Sequence, residues 1–501
     1  MEIIDALVGG FGTVFSPLNF AVLLLGLVLG MLVAVLPGLT LVMGVVLALP
    51  FTYKMGVGPA LILLSAMYVS GTYGGAITSI LFKIPGEPMD VPLIWDGYTM
   101  TKQGKASTAL GYSLIAALVG GLFSCVVMVA LSRPVAEIAL EFSSPEFFAI
   151  TFFGLVSVVA LGGPSVTNSL ISLCLGLLIA TIGVDDTYGA DRLTFGVPIL
   201  MDGIDYLLVM VGAYGIGEVL GRFADRYKDE ADEKVEKKIY KTSFPGMADL
   251  LKRKVTFLRS SLTGLIVGLV PGAGATIASF VAYGLEKQYG KNGYQLGKGE
   301  PDGIIAAKGA ATSSVGGAMI PLLTLGIPGS GATAIILAAF LLHGIQPGPE
   351  VFLSSADLVY TIFAAIIAAV IGMCILGYLA IKPLCKVLEA PEALISSFVI
   401  VFCFVGAFAS RNNVTDLYII SIFGILGYLF ERYKFPVAPL VLGAILGPHT
   451  ETAFVTSMIS FDNNWTVFFT RPISGVIMVL AVSGLLMSIF KKNTTNKGST
   501  T

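Results

Sequence analysis

Residues 57–86 read VGPALILLSAMYVSGTYGGAITSILFKIPG, a long apolar stretch that ends in Lys-Ile-Pro-Gly. No charged residue occurs between Val57 and Phe82, so a helix built from them has no charged face to present to water. A helix that crosses a bilayer needs about 20 mainly apolar residues. Proline removes a backbone donor and clashes with the preceding turn, so the stretch predicts a membrane-spanning helix that is broken at its end.

The rest of the chain repeats this pattern. Of its 501 residues, 55% are hydrophobic and 12% are charged, whereas a soluble domain carries roughly a quarter of its residues as charged ones. Spanning segments must be helices or closed barrels. The sequence lacks the sustained alternation of apolar and polar residues that barrel strands would show. The sequence therefore predicts an all-α, polytopic membrane protein of about 11–14 helices, some of them broken or hairpin helices. The other long apolar runs are Phe20–Leu36, Ala106–Leu131, Pro145–Leu161, Val166–Gly183, Val197–Leu220, Ile304–Ile327, Asp357–Ile381, Glu392–Phe408, Asp416–Phe430 and Pro472–Phe490.

Matching motifs recur in the same order in two halves of the chain. Pro37-Gly38 corresponds to Pro271-Gly272 at an offset of 234, and Ile84-Pro85-Gly86 corresponds to Ile327-Pro328-Gly329 at 243. The offset rises where the second half has an extra polar loop, Lys287–Gly299. Internal repeats are typical of secondary transporters, whose substrate sites lie where the repeats meet. We therefore divide the chain into a first transmembrane repeat, a charged linker and a second transmembrane repeat, with bounds 1–221, 222–254 and 255–501.

The two repeats can have opposite (inverted) or equal (parallel) orientations in the membrane. Seven apolar helices in the first half would invert the second half, and a linker with ten Lys or Arg residues favours the cytoplasm. The N-terminus, with no Lys or Arg before Lys54, fits an outside location, whereas Lys491, Lys492 and Lys497 at the C-terminus do not. Inverted repeats are the favoured interpretation, and parallel repeats stay open.

The four Pro-Gly breaks are the candidate functional site. Backbone groups freed at membrane depth are tolerated only within protein or against a water-filled cavity. Helix N-termini exposed there offer N–H groups and a positive dipole end to an anion, and freed carbonyls can hold Na⁺. Hydroxyl groups beside the breaks add donors for a carboxylate: Thr40, Thr276, Ser330 and Thr333. The alternative is that the breaks are loop turns or close helix contacts.

Small polar stretches precede the second break of each half and would either line a pathway or allow close helix packing. Lys83 and Lys308 are functional candidates, and the alternative for each is an amine that reaches the membrane surface. Asp90 and Asp96, in a polar turn, are predicted to be solvated. The predicted substrate- or ion-binding residues are Pro37, Gly38, Leu39, Thr40, Gly74, Gly75, Thr78, Ser79, Lys83, Pro85, Gly86, Glu87, Pro271, Gly272, Ala273, Gly274, Thr276, Ser313, Ser314, Pro328, Gly329, Ser330 and Thr333.

Several classes of function lack their motifs. The nearest sequence to a Walker A loop, residues 293–299, has one spacer too few and no Ser or Thr for Mg²⁺, so we expect no ATP hydrolysis by this chain. His343 and His449 are isolated, and a metal site would need more ligands. The sequence contains no basic patch with interleaved aromatic residues, so we do not expect nucleic-acid binding. We expect no enzyme activity, no catalytic residue and no cofactor.

The motifs resemble those of the large membrane subunit of the tripartite tricarboxylate transporters, the TctA type. The resemblance covers most of the chain and is most specific in the second half. Its motifs are Val35-Leu36-Pro37-Gly38, Tyr73-Gly74-Gly75-Ala76-Ile77-Thr78-Ser79-Ile80-Leu81, Pro85-Gly86-Glu87, Asp96-Gly97-Tyr98, Arg192-Leu193-Thr194-Phe195-Gly196, Gly215-Ile216-Gly217-Glu218-Val219-Leu220, Pro271-Gly272-Ala273-Gly274, Ile320-Pro321-Leu322-Leu323-Thr324-Leu325-Gly326-Ile327-Pro328-Gly329-Ser330 and His343-Gly344-Ile345-Gln346-Pro347-Gly348-Pro349.

This resemblance implies a multi-pass permease in the cytoplasmic (inner) membrane of a prokaryote. A periplasmic or extracellular solute-binding protein would deliver a di- or tricarboxylate or a related organic acid. A small membrane subunit of about four helices would accompany the chain, and a Na⁺ or H⁺ gradient would drive uptake by alternating access. Lys83 and Ala307-Lys308-Gly309-Ala310-Ala311-Thr312 depart from the family pattern near the predicted site. The alternative functions are a membrane-embedded enzyme and a passive anion channel. Whether the chain forms a homodimer is left open.

Overall fold

The computed structural model describes residues 2–36, 39–83, 85–161, 165–185, 189–225, 242–381, 383–384, 392–411 and 413–497. Nearly all regular structure in these ranges is helical, which confirms the all-α prediction. The exception is an antiparallel pair of two-residue strands, β1 (Gly183–Val184) and β2 (Asp191–Arg192).

The helices of residues 2–225 are interrupted by a 3₁₀ turn and by π segments in the broken regions. They are α1 (Glu2–Val14), α2 (Pro17–Val35), α3 (Leu41–Thr52), α4 (Val57–Phe82), the 3₁₀ turn Pro88–Asp90, α5 (Val91–Leu93), the π segment Ile94–Tyr98, α6 (Thr99–Lys102), α7 (Ala106–Ala139), α8 (Ser144–Leu161), α9 (Val166–Ala180), α10 (Pro198–Met201), α11 (Tyr206–Met210), the π segment Val211–Ile216 and α12 (Gly217–Asp225).

The helices of residues 242–497 follow the same scheme of long helices separated by short turns. They are α13 (Met247–Lys252), α14 (Lys254–Leu269), α15 (Gly274–Tyr289), the 3₁₀ turn Gly293–Gln295, α16 (Pro301–Leu325), α17 (Gly331–Leu342), α18 (Val351–Ser354), α19 (Ala356–Leu379), α20 (Glu392–Arg411), α21 (Thr415–Arg432), α22 (Val437–Ser460), α23 (Val467–Thr470) and α24 (Pro472–Lys497).

Four helices in the described part of the chain are long and apolar enough to cross a membrane: α2, α4, α7 and α19. Shorter apolar helices accompany them, among them α3, α8, α9 and α17. The chain is therefore a multi-pass helical membrane protein. One predicted span, Val197–Leu220, is wrong as a continuous helix, because α10 ends at Met201 and α11 begins only at Tyr206.

Packing divides the chain into two compact units. The first contains Met1–Ala136 and Arg226–Phe398, and the second contains Glu137–Asp225 and Val399–Thr501. Each unit therefore combines a segment from the first sequence half with a segment from the second. The boundaries of the two predicted repeats, at residues 221 and 255, stay predictions.

In the first unit, α2 packs on α4 and α14 packs on α16 through glycines. A Cβ atom at Gly30 would lie 2.4 Å from the Met67 carbonyl oxygen, and one at Gly264 would lie 2.2 Å from that of Ala310. Because no side chain fits at these points, the two backbones approach closely, as small residues allow in membrane helices. The two contacts are related by the same offsets, 234 and 243, that relate the sequence halves.

The glycine pairs before the breaks repeat this relation. A Cβ atom at Gly74 would lie 2.6 Å from the Met31 carbonyl oxygen, and one at Gly317 would lie 2.5 Å from that of Leu265. Equivalent sequence positions therefore make equivalent helix contacts in the two halves, which gives the sequence repeat a local structural counterpart.

The second unit is built from helices of both halves around an apolar cluster. Ala149, Met458, Val467, Phe468 and Met478 form the buried part of this cluster. Elsewhere in this unit, the Arg192 guanidinium group lies 2.7 Å from Asp185 and 2.5 Å from Glu451. None of the predicted site residues belongs to this unit.

Candidate functional site

The first break separates α2 from α3. Helix α2 ends at Val35, and its C-cap residue Leu36 already has an extended backbone. Pro37 and Gly38 lie outside the described residues. The buried Leu39 and the N-cap residue Thr40 follow, and the Thr40 hydroxyl accepts a hydrogen bond of 3.2 Å from Met43 N. Thr40 thus satisfies one donor of the α3 N-terminus, as N-cap threonines do.

The second break lies after α4 and brings the carboxylate of Glu87 to the N-terminus of α3. Pro85 is exposed, whereas Gly86 and Glu87 are buried. Leu41 N, the first N–H of α3, donates a short hydrogen bond to Glu87 Oε1. A negative charge at this position is favoured by the helix dipole, so the α3 N-terminus is a carboxylate-binding site that an internal carboxylate occupies.

The third break lies between α14 and α15. Gly272 and Gly274 have φ values of +78° and +59°, a left-handed conformation that glycine adopts without steric cost. Pro271 is buried, and the N-cap residue of α15 is Ala273, which has no side-chain acceptor for the N–H groups of the first turn. The predicted residue Thr276 lies half-buried in that first turn.

The fourth break precedes α17 and is closed by a reciprocal cap. Ser330 N donates to Thr333 Oγ1 at 2.8 Å, and Thr333 N donates to Ser330 Oγ at 3.3 Å. Pro328 and Gly329 are buried just before this cap. Both predicted hydroxyls are therefore positioned at a helix N-terminus, and both already take part in its capping box.

Three of these helix N-termini meet around Ser330. A Cβ atom at Gly274 would lie 3.5 Å from Ser330 Cβ, and one at Gly331 would lie 3.1 Å from Val42 in the first turn of α3. Ser330 Oγ is 3.2 Å from the hydroxyl of Tyr68 on α4. We call this group the Ser330 cluster: the N-termini of α3, α15 and α17 together with Tyr68. It combines breaks from both sequence halves in one place.

The small polar stretches are fully buried, and their glycines lie at close helix contacts. Gly74 faces α2, and Gly75 faces the second break, where a Cβ atom would lie 2.2 Å from Asp90 Oδ2. Hydroxyl groups in these stretches donate to backbone carbonyls: Thr78 to Gly75 at 2.9 Å, Ser313 to Ser261 at 2.7 Å and Ser314 to Ala311 at 2.8 Å. Ser79 is also buried.

Lys83 is not part of the Ser330 cluster. It is the C-cap residue of α4, has a left-handed backbone with φ of 62°, and is exposed. It lies at a cavity of about 730 Å³ together with Lys102, Lys287, Trp95 and Tyr98. Of the two interpretations of Lys83, its exposure fits an amine at the protein surface.

Lys308 and Asp90 form a fully buried ion pair. The Lys308 ammonium group lies 2.6 Å from Asp90 Oδ1, and both side chains are 0% exposed. It also donates to the Thr72 carbonyl oxygen at 2.5 Å and lies 5.8 Å from the centre of the Tyr73 ring. The prediction of a solvated Asp90 is wrong, because α16 of the second half covers the polar turn. The surface interpretation of Lys308 is wrong for the same reason.

Asp96 is buried as well, which contradicts its predicted solvation. Its Oδ1 accepts hydrogen bonds from Gly297 N, Gly299 N and Glu300 N at 2.8–2.9 Å, and its Oδ2 accepts one from Tyr283 at 2.8 Å. The donors come from α15, from the polar loop that the first half lacks and from Glu300, the N-cap residue of α16. Asp96 therefore anchors this loop.

Limited proteolysis tests whether Asp96 holds the polar loop in place. We expect Asp96→Ala to leave three backbone N–H groups, two in the loop and one at Glu300, without their acceptor, so that the loop opens and trypsin cleaves after Lys291 or Lys298 at least severalfold faster. The exposed Asp202 supplies the control, since Asp202→Ala should leave the cleavage pattern of this loop unchanged. Equal cleavage in Asp96→Ala and the wild type would contradict the anchoring role.

An ion-pair network adjoins this loop outside the apolar spans. The Arg253 guanidinium group lies 2.5 Å from Glu300 and 2.6 Å from Asp302. Burial alone would lower the pKa of Arg253, but its hydrogen bonds to the two carboxylates raise the pKa above its ordinary value. Arg253 therefore remains charged and ties the start of α14 to the start of α16.

Sequence reasoning missed two participants in these sites. Tyr68 gave no signal, because it is one aromatic residue in an apolar run and its partner Ser330 is 262 positions away. Asp90 was noted, but it was predicted to be solvated because it follows a Pro-Gly break and precedes Asp96-Gly97. The unexplained charge of Lys308 in an apolar helix was a usable signal, because such a charge needs a buried partner.

Comparison with known proteins identified one matching family model and two similar proteins of Agrobacterium vitis. The model of the tripartite tricarboxylate transporter TctA family matches residues 20–442. A 52.8 kDa protein in the TAR-I ttuC' 3'region of Agrobacterium vitis is 32% identical over 489 residues, which are 98% of this chain and 97% of that protein. A protein in the TAR-II ttuC' 3'region of the same organism is 36% identical over 233 residues, 46% of this chain and 96% of the relative.

No solved structure matches the chain. The family match covers most of the sequence, including all four breaks, and the first relative is similar over nearly its whole length. The chain therefore belongs to the tripartite tricarboxylate transporter TctA family, the membrane component of these transporters.

Proposed function

We propose that this chain is the permease subunit of an ion-gradient-driven importer that binds an organic di- or tricarboxylate at the Ser330 cluster. The observation that carries this proposal is the meeting of three helix N-termini from both sequence halves around Ser330 and Tyr68. Helix N-termini direct N–H groups and a positive dipole end toward an anion. Three of them in one place suit a ligand with more than one carboxylate.

The individual groups divide the work of recognition. The α15 N-terminus, with Ala273 as its N-cap and glycines on either side, offers backbone N–H groups to one carboxylate. The hydroxyls of Ser330 and Tyr68, 3.2 Å apart, would donate to a second carboxylate or to a hydroxyl group of the ligand. Because these donors are neutral, the bound anion carries its charge into the protein without a permanent cation partner.

Glu87 provides an internal model for this chemistry. Its carboxylate already accepts from the first N–H of α3, and Glu87 lies on the segment after the second break. In an alternating-access cycle, the substrate carboxylate and Glu87 would compete for the α3 N-terminus. Rearrangement of the segment that carries Glu87 would then accompany substrate binding.

The remaining components of the proposal follow from the family. A solute-binding protein in the periplasm or outside the cell delivers the organic acid, and a small membrane subunit of about four helices completes the complex in the inner membrane. A Na⁺ or H⁺ gradient supplies the free energy, and freed carbonyls at the breaks are candidate Na⁺ ligands. The chain acts in the lipid bilayer without a cofactor or ATP, and dimerisation is left open.

Reconstitution tests this function directly. The complete three-component complex in liposomes should accumulate a labelled carboxylate, with citrate as the first probe within a panel of organic acids, only when a Na⁺ or H⁺ gradient is imposed. Uptake that requires ATP, or equilibration without accumulation under every gradient, would overturn the importer. The second result would instead support a passive channel.

The third break supplies the variant for this assay. Gly272→Val should abolish uptake while leaving membrane insertion intact, because a β-branched residue cannot adopt the φ of +78° found there without strain. Gly284→Val is the matched control, since Gly284 lies in the adjoining helix α15 and a Cβ atom there would have no neighbouring atom within 4 Å. Full transport by Gly272→Val would refute the placement of the site.

A further inference from the structure

The buried Asp90–Lys308 pair has the geometry of an occupied cation site. The ammonium nitrogen lies 2.6 Å from a carboxylate oxygen of Asp90 and 2.5 Å from the carbonyl oxygen of Thr72. Asp90 Oδ2 is also buried and, among the described residues, has no hydrogen-bond partner. Carboxylate and carbonyl oxygens are the ligands that hard cations take in proteins.

An ion pair that serves stability alone does not explain this arrangement. Apolar residues of similar volume often replace a buried ion pair at little or no cost in stability, and a buried oxygen without a partner is itself unfavourable. Intramembrane charges usually belong to ion or substrate pathways. The second oxygen of Asp90 is a coordination position that the single ammonium group leaves unused.

Among the side chains named around Asp90, Lys308 carries the positive charge that pairs with it. Glu87, three residues before Asp90, binds the N-terminus of α3. Asp96 is held by Tyr283 and the polar loop. Tyr73 places its ring near the ammonium group and is neutral at pH 7. None of these neighbours supplies a second positive charge to Asp90.

We propose that the oxygens of Asp90 and Thr72 form an intramembrane site for a monovalent cation, which the Lys308 side chain fills as a tethered cation. The wild-type site is consequently occupied and does not bind Na⁺. For transport, which rests on the proposed importer, this implies that wild-type uptake does not require Na⁺. Asp90 and Glu87 share the segment after the second break, and Asp90 N donates to Glu87 O at 2.9 Å. Occupancy of the cation site is thereby linked to the N-terminus of α3.

The test uses the purified full-length chain and needs no transport substrate, so it is independent of the proposed function. Thermal unfolding is measured in NaCl and in choline chloride at equal ionic strength. Wild type should unfold at the same temperature in both salts. Lys308→Ala empties the site and should gain a Na⁺-specific rise in Tm of about 2–4 °C, because a ligand that binds only the native state stabilises it.

Two further variants make the result specific. Asp90→Asn/Lys308→Ala should lose the Na⁺ effect, because the carboxylate ligand is gone. If Lys308→Ala does not yield folded protein in choline chloride, rescue of its folding by NaCl counts as the same expected result, and Lys308→Gln is measured beside it. Absence of any Na⁺ effect in both Lys308 variants would overturn the cation site. A Na⁺ effect in wild type that Asp90→Asn abolishes would overturn the role of Lys308 as its occupant.

A transport measurement then addresses coupling separately. If the reconstituted complex accumulates citrate or another acid from the panel, a pH gradient in Na⁺-free medium should drive wild-type uptake. Strict dependence on Na⁺ would overturn this consequence while leaving the importer itself supported. Failure to accumulate any acid under any gradient would count against the proposed function and leaves the unfolding result as the test of the cation site.

Discussion

Lys308→Met is expected to destabilise the folded protein by about 3–5 kcal/mol in Na⁺-free buffer, because removal of one partner leaves an uncompensated buried charge. Both side chains of the pair are 0% exposed, so water cannot solvate the remaining carboxylate. Unfolding of the purified chain in detergent, followed by heat or denaturant, measures the change. Methionine is also unbranched and only one atom shorter, so the main change is the loss of the charge and its donors.

The double variant separates charge from packing. Asp90→Asn/Lys308→Met should recover most of the lost stability, since a neutral pair no longer requires charge compensation. Lys291→Met, at an exposed position of the polar loop, should change stability by no more than about 0.5 kcal/mol. A Lys308→Met protein as stable as the wild type would show that the buried ion pair does not form.

Gly86→Ala is expected to prevent the second break from packing against α2 and α4. Its Cβ atom would lie 2.3 Å from the Ala34 carbonyl oxygen and 2.4 Å from Gly75 Cα, and neither is a flexible side-chain end. Overpacking of this kind costs about 1–3 kcal/mol and occasionally more. We expect the upper end of that range, measured as a lower Tm and as loss of uptake in the reconstituted complex.

The repeat supplies a parallel variant with a weaker effect. A Cβ atom at Gly329 would lie 2.7 Å from both Ala318 Cα and the Gly268 carbonyl oxygen, the contact that corresponds to the one made by Gly86. Gly329→Ala should therefore destabilise in the same way but less strongly. Gly58→Ala is the control, because nothing lies within 4 Å of its Cβ position and alanine favours the helix. Equal stability of Gly86→Ala and Gly58→Ala would contradict the close packing.

Local sequence predicted the helices because the information for them is local. The apolar run from Val57 to Phe82 became α4 with these same bounds, since backbone groups in lipid must be satisfied within the segment. The breaks were also readable, because proline and glycine act on the turn in which they occur. The interruption of the run Val197–Leu220 was readable for the same reason, because Asp202-Gly203 and Asp205 mark a turn at residues 202–205. The prediction of one span there overlooked this signal.

The candidate site could be predicted only in part. The hydroxyl residues named beside two of the four breaks lie at helix N-termini: Thr40 caps α3, and Ser330 and Thr333 cap α17. Their meeting with one another and with Tyr68 depends on contacts between segments more than 200 residues apart. Whether they bind a carboxylate stays a prediction that transport measurements decide.

The sequence by itself determined the class of this protein: a helical membrane protein with paired Pro-Gly breaks and the motifs of the TctA family. These properties follow from hydrophobicity and backbone chemistry, which act within one segment of chain. Only the tertiary structure decided the environment of the charges, because burial depends on what packs over a residue. Asp90 was expected in water, yet it lies beneath α16 against Lys308. A polar turn is solvated or buried according to a helix that begins 211 positions later in the chain.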